Sequence, residues 1–254
     1  MKTLVFQVYD AFGDWISTNG MIRHLSDFYE DIYLVHDTPV VVPFTSHMFR
    51  DNTKIIPMEG VIEYGSDCDV IDVRVGEIYP HPGNTGIYFN KVNKFGKEVY
   101  LSNDNASNFY SELGLDPSLR TSKFFYERDI VEENNLFNSL NLPDNYSVIC
   151  EMEDGMIDRK YVNGEIINIH RITDNFLNVL KIIENANEIH LVENSIALFV
   201  YHMQNIGKMK DVTINLHAYA RKEPHRKCDG PDCNNKFLNM LKYPKLDTWN
   251  FIWQ

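Results

Sequence analysis

The chain of 254 residues is 44% hydrophobic and 24% charged, an ordinary globular composition that supports a packed core and excludes wholesale disorder. Its length suits two small domains or one large one. A formal net charge of -12 repels a phosphate backbone at long range and argues against general nucleic-acid binding, although two or three local cations would suffice for one small anionic ligand.

No secretion signal is expected from the first residues. Met1-Lys2-Thr3 leads into a short apolar run over 4–9 that meets Asp10 and reads as a buried first strand. Ala11-Phe12-Gly13-Asp14 then makes a tight turn, after which Trp15, Ile16, Met21, Ile22, Leu25 and Phe28 fall at helical spacing. A second strand is expected over 32–36. A helix is expected within 39–50, although Val40-Val41-Val42 before Pro43 argues against it. Residues 54–57 and 69–73 read as further strands, and this βαβ alternation predicts a parallel sheet.

Residues 74–100 hold Pro80, Pro82, Gly83, Gly86 and Gly96 and read as a long loop or lid. A helix is expected over 105–113, ended by Gly114. The stretch 129–145 is rich in Asn, Glu and Asp, carries Pro143 and reads as a domain junction, giving domains 1–128 and 129–254. A second cycle follows, with strands over 146–150, 166–170, 188–192 and 212–216. Helices are expected from Asp174, as cap, to about 186, and over 195–204. The whole is an α/β chain of two Rossmann-like halves.

No apolar run approaches the ~18 residues that span a bilayer. Four cysteines are too few for a disulfide scaffold in a chain this long, so a reducing cytoplasm is the expected home.

Four places could carry chemistry. Gly13-Asp14 follows the first strand, where α/β proteins bind ligands; Gly13 allows close backbone approach, and Asp14 is either a base for a hydroxyl nucleophile or a helix cap. Glu193-Asn194-Ser195 follows the strand over 188–192. Ser195 and the amides behind it suit a phosphate or ribose hydroxyl, Glu193 suits two ribose hydroxyls, and capping by Asn194 or Ser195 is the alternative. Arg159 and Lys160 are adjacent cations that either neutralise a diphosphate or are solvated at the surface; His170, at a predicted strand end, is a ligand contact or a structural histidine. Cys228 and Cys233, with His225 nearby, lack the usual zinc spacing, and Gly-Pro between them reads as a turn, so no metal is expected. No G-x-G-x-x-G fingerprint, Walker A loop, G-x-S-x-G elbow or H-E-x-x-H helix is present.

The run Gly13-Asp14-Trp15-Ile16-Ser17-Thr18-Asn19-Gly20-Met21-Ile22-Arg23-His24-Leu25 resembles the opening of GT-B glycosyltransferases of the heptosyltransferase type, where Gly-Asp after the first strand precedes an apolar helix ending in R-x-L. Phe109-Tyr110-Ser111-Glu112-Leu113-Gly114-Leu115 resembles a segment near the end of that family's first domain, and 188–195 resembles its strand, acidic residue and small hydroxyl before a helix.

The resemblance implies two Rossmann-like domains facing across a cleft, with a nucleotide-sugar between them. It implies Asp14 as general base, Glu193, Asn194 and Ser195 at the donor-binding turn, and Arg159 and Lys160 at the diphosphate. The implied reaction is inverting, metal-independent sugar transfer to a glycan or other hydroxyl acceptor, with no cofactor beyond the donor. The chain departs from the family in being short, and in carrying Leu198 or Phe199 where a histidine often stands, with His202 one turn later. The rival readings are a two-domain sugar-nucleotide epimerase, a catalytically silent nucleotide-binding or assembly protein, and a metal-dependent protein using the Cys228 region.

Overall fold

The computed structural model describes residues 3–8, 11–60, 68–72, 110, 113–151, 156–192, 194–217 and 248–252. The chain divides into two compact units, Met1–Glu127 and Arg128–Gln254. The loop expected over 74–100, most of the helix expected over 105–113, Glu193 and the Cys228 to Cys233 turn lie outside the described residues.

The first unit alternates β1 (Thr3–Gln7), α1 (Phe12–Leu25), β2 (Asp31–His36), α2 (Val41–Met48), β3 (Ile55–Glu59) and β4 (Cys68–Asp72). Its sheet has the order β3-β2-β1-β4, and every pairing is parallel. β1 is central, and Leu4, Val5 and Phe6 are buried, which is why the strand reads as a continuous apolar run and not as an alternating one. The chain lays β2 and β3 on one side of β1 and returns to place β4 on the other, so the strand order reverses beside β1. Pro43 falls in the first turn of α2, where a backbone N–H would have no intrahelical acceptor to lose; the objection to a helix there does not apply.

α1 is fixed along its length by later parts of its own unit. A Cβ on Gly20 would lie 2.1 Å from the carbonyl oxygen of Leu119 in the short helix α3 (Leu119–Ser122), so only glycine permits that approach. Asn19 brackets the Phe125 backbone, donating to its carbonyl at 3.2 Å and accepting its N–H at 3.1 Å. The Arg23 guanidinium lies 5.3 Å from the Phe49 ring centroid and 5.0 Å from that of Phe125, and forks onto Asp51 at 2.8 Å. The Tyr110 hydroxyl donates to the Ser17 carbonyl at 2.9 Å and accepts the Met21 N–H at 3.1 Å, two groups one helical turn apart. The glycine, asparagine and arginine of the family-like run therefore act here as packing and clamping residues.

In the second unit the polar stretch read as a junction forms a helix, α4 (Ile130–Ser139). Asp129 caps it by accepting the Glu132 N–H at 3.1 Å, and Arg128 pairs with buried Glu133 and with Glu184. The sheet contains β5 (Tyr146–Cys150), β6 (Glu165–Asn168), β7 (Glu188–Leu191), β8 (Ile214–His217) and β9 (Trp249–Ile252), parallel throughout in the order β6-β5-β7-β8-β9. Here the reversal lies between β5 and β7. β6 ends at Asn168, so His170 lies in a 3-10 turn and not on the strand. Asp174 does not cap the next helical segment: Asn175 accepts the Leu177 N–H at the start of a 3-10 turn, which leads into α5 (Leu180–Asn185). α6 (Ser195–Asn205) follows β7. β9 is an addition to the expected strands, tied to α6 by the Trp249 indole N–H donating to Gln204 at 2.9 Å. No described helix is long and apolar enough to cross a membrane.

Candidate active site

Asp14 sits in the first turn of α1, at the carboxyl end of β1 and beside the strand-order reversal of the first sheet. The helix begins three residues earlier than a cap at Asp14 would require. Ala11 is the extended N-cap residue, and the Asp14 backbone N–H itself bonds the Ala11 carbonyl at 3.0 Å. No side chain caps this end, which removes capping as the explanation for the carboxylate. Among the described residues the Asp14 carboxyl has no hydrogen-bond or ion-pair partner, and burial pushes its pKa up to about 6. A carboxylate with that value is about ten to one ionised at neutral pH yet remains a competent proton acceptor.

The helical turn that carries Asp14 is packed against β1, β2 and α2. Trp15 is fully buried, its ring 4.5 Å from the His36 ring and 6.1 Å from that of Phe6. Phe12 packs on Phe44 of α2 at 4.7 Å, and the His36 ring bonds the Thr45 hydroxyl at 2.8 Å. Gly13 has open space at its side: an added Cβ would meet nothing within 4 Å among the described residues.

In the second unit the predicted residues divide. The Asn194 carbonyl oxygen accepts the Ala197 N–H at 2.9 Å and its amide donates to the Cys150 sulfur at 3.1 Å. Both ends of that side chain are used in capping α6 and tying it to β5, so capping is what Asn194 does here. Burial pushes the Cys150 thiol up to about 12, which leaves it un-ionised and unreactive at neutral pH. Ser195 is the first residue of α6, at the carboxyl end of β7. Exposed His170 uses its backbone N–H to bond Asn168 at 3.2 Å.

Arg159 and Lys160 do not act as a pair. The Arg159 guanidinium forks onto Glu151 at 2.6 and 2.7 Å, whereas Lys160 turns to Asp158 at 2.9 Å and lies 4.8 Å from the Tyr161 ring centroid. Lys160 is exposed, and this contact is the surface-solvated arrangement. Glu151 escaped the sequence reading. It directly follows buried β5, in the same relation to its sheet that the Gly13-Asp14 turn has to β1, and that placement was the available signal.

A second missed feature is the buried pair His190 and His217, whose ring nitrogens lie 2.9 Å apart. Desolvation, then the neighbouring His190, pushes His217 down to about 4; burial lowers His190 against the opposing pull of Glu188. Both rings are neutral at pH 7. Among the described residues no group of three or more His, Cys, Asp or Glu could hold a metal ion.

No protein-family model and no curated protein matches the chain. A solved structure that it matches is the crystal structure of a glycosyl transferase family 9 protein from Veillonella parvula DSM 2008, at 10% identity over 89% of this chain and 84% of that one, with a TM-score of 0.47.

Proposed function

We propose that the chain is a glycosyltransferase that moves a sugar from a nucleotide-sugar to a hydroxyl acceptor, with Asp14 as the general base. The observation that carries this reading is the Asp14 carboxyl, without a partner among the described residues and pushed up to about 6 by burial, at the carboxyl end of a parallel sheet. The resemblance of the run from Gly13 to Leu25 to glycosyltransferases of the heptosyltransferase type supports it.

The reaction is inverting and needs no metal. Asp14 takes the proton of the acceptor hydroxyl as its oxygen attacks the anomeric carbon. The bond from that carbon to the donor's diphosphate breaks, and the diphosphate leaves with the electron pair. Ser195 and the first amides of α6 serve the donor at the carboxyl end of β7.

The second reading is a silent nucleotide-binding or assembly protein. It is favoured by the ion pairs Arg159–Glu151 and Lys160–Asp158, in which a carboxylate offsets the charge of each cation. The two readings separate on Asp14→Asn. An enzyme loses turnover and keeps its affinity for nucleoside diphosphates in a thermal-shift titration. Full turnover by the variant removes Asp14 as base, and a wild type without transfer or donor hydrolysis leaves the binding reading.

A further inference from the structure

We infer that Glu151 is a positioning residue, which aims one edge of the Arg159 guanidinium at the phosphoryl oxygens of the donor; the inference rests on the glycosyl-transfer reading above. A guanidinium carries five N–H donors in a planar fork. Glu151 takes one hydrogen from Nη1 at 2.6 Å and one from Nη2 at 2.7 Å. The second Nη1 hydrogen goes to the Ile157 carbonyl at 3.1 Å. The Nε hydrogen and the second Nη2 hydrogen remain, side by side along one edge, and neither has a partner among the described residues.

That edge is accessible while the anchor beneath it is not. The Arg159 side chain is 46% exposed and that of Glu151 only 9%. Glu151 is fixed in turn: it accepts the Ile157 N–H at 2.8 Å and receives a longer contact from the Asn168 amide at 3.5 Å. The carboxylate thus joins the end of β5, the end of β6 and the 3-10 turn Arg159–Tyr161. Without it, a long side chain on a three-residue surface turn would sample many rotamers and lose that freedom on binding.

Two parallel N–H groups match two oxygens of one phosphoryl group, a geometry that an ammonium cannot reproduce. Glu151 also cancels the charge of Arg159, so the fork selects by shape more than by long-range attraction. The ligand class is therefore a phosphoryl group, supplied by a nucleoside diphosphate or by free pyrophosphate.

The test is calorimetric titration of the full chain with UDP, GDP, ADP and CDP, with the parent nucleosides, and with inorganic pyrophosphate. Wild type, Arg159→Lys and Glu151→Gln are compared. Arg159→Lys is expected to keep the melting temperature while weakening the diphosphate that binds by about tenfold or more, with nucleoside affinity unchanged. Glu151→Gln is expected to show the same split.

Diphosphate affinity unchanged in both variants overturns the inference. So does a loss shared equally by nucleoside and diphosphate, which is what a merely structural role would give. If the wild type binds pyrophosphate through Arg159 but no nucleoside diphosphate, the fork stands and the donor reading fails. If it binds neither, both fall.

Discussion

Asp14 and Glu151 occupy matching places in two separate sheets. Each lies at the carboxyl end of the first strand of its unit, where the strand order reverses. Their surroundings are opposite. Asp14 has no partner among the described residues and is pushed up to about 6 by burial. Glu151 is buried, and it accepts a backbone N–H and a bidentate guanidinium. Topology delivers a carboxylate to the ligand-binding edge in both halves. In the second half a nearby arginine pairs with that carboxylate, and in the first none of the described residues does.

The largest expected effect breaks the first half of that comparison. Asp14→Asn should lower sugar transfer by roughly 10²–10⁴-fold, measured as steady-state turnover of the nucleotide-sugar. The same variant should gain stability. The folded-state pKa of Asp14 lies above its ordinary 3.8, so between about pH 4 and 6 the folded protein holds more protons than the unfolded chain, and wild-type stability falls as pH rises through that window. The asparagine variant lacks this loss. It should melt above the wild type at pH 7, by on the order of 1–3 kcal/mol, and converge with it below pH 4. Equal melting at pH 7 would mean that Asp14 is solvated and not desolvated.

The next effect takes the arginine out of the second half of that comparison. Arg159→Met strips Glu151 of its charged partner and leaves a buried carboxylate. The expected cost is about 1–3 kcal/mol at pH 7, read from denaturant unfolding. Adding Glu151→Gln to Arg159→Met should recover most of that cost, because no charge is then left without its partner. No recovery would point to lost packing of the arginine stem instead. The histidine pair gives a smaller effect of opposite sign to Asp14. The folded-state value of His217, about 4, lies below the ordinary 6.5, so stability is lost as pH falls from about 6.5 towards 4. His217→Asn should flatten the acid limb of the melting profile, leaving the Asp14 limb to dominate.

The α/β rhythm and the parallel sheets were legible because buried parallel strands are short continuous apolar runs, as in Leu4-Val5-Phe6 and Val148-Ile149-Cys150. α4 was not legible. Its stretch is polar, and it is held by Arg128 to Glu133 and to Glu184, a partner 56 residues away. β9 was missed because four residues with an exposed Asn250 carry little pattern, and its anchor, Gln204, is distant in sequence. At the candidate site, the placement of Asp14 and the capping alternative for Asn194 could be read from strand-turn-helix order. The pairing of Arg159 could not, because adjacency to Lys160 suggested a shared task and the true partner stands eight residues earlier. Sequence order locates the edge of a sheet; which side chains meet there is a matter of long-range packing.

The smallest expected effect separates the two uses a glycine can have beside Asp14. Gly13 lies inside α1, outside the left-handed backbone region, and a Cβ there would meet nothing within 4 Å among the described residues. As a purely structural position it should accept alanine with a gain of about 0.5–1 kcal/mol, since glycine loses the most conformational freedom on folding. Gly20 in the same helix is the control: its Cβ would overlap the Leu119 carbonyl at 2.1 Å, and alanine there should cost about 1–3 kcal/mol. If the space beside Gly13 receives the acceptor, Gly13→Ala should raise the melting temperature while raising KM for the acceptor and leaving KM for the donor unchanged. A stabilised variant with both KM values unchanged would show that the open side of Gly13 does not receive the substrate.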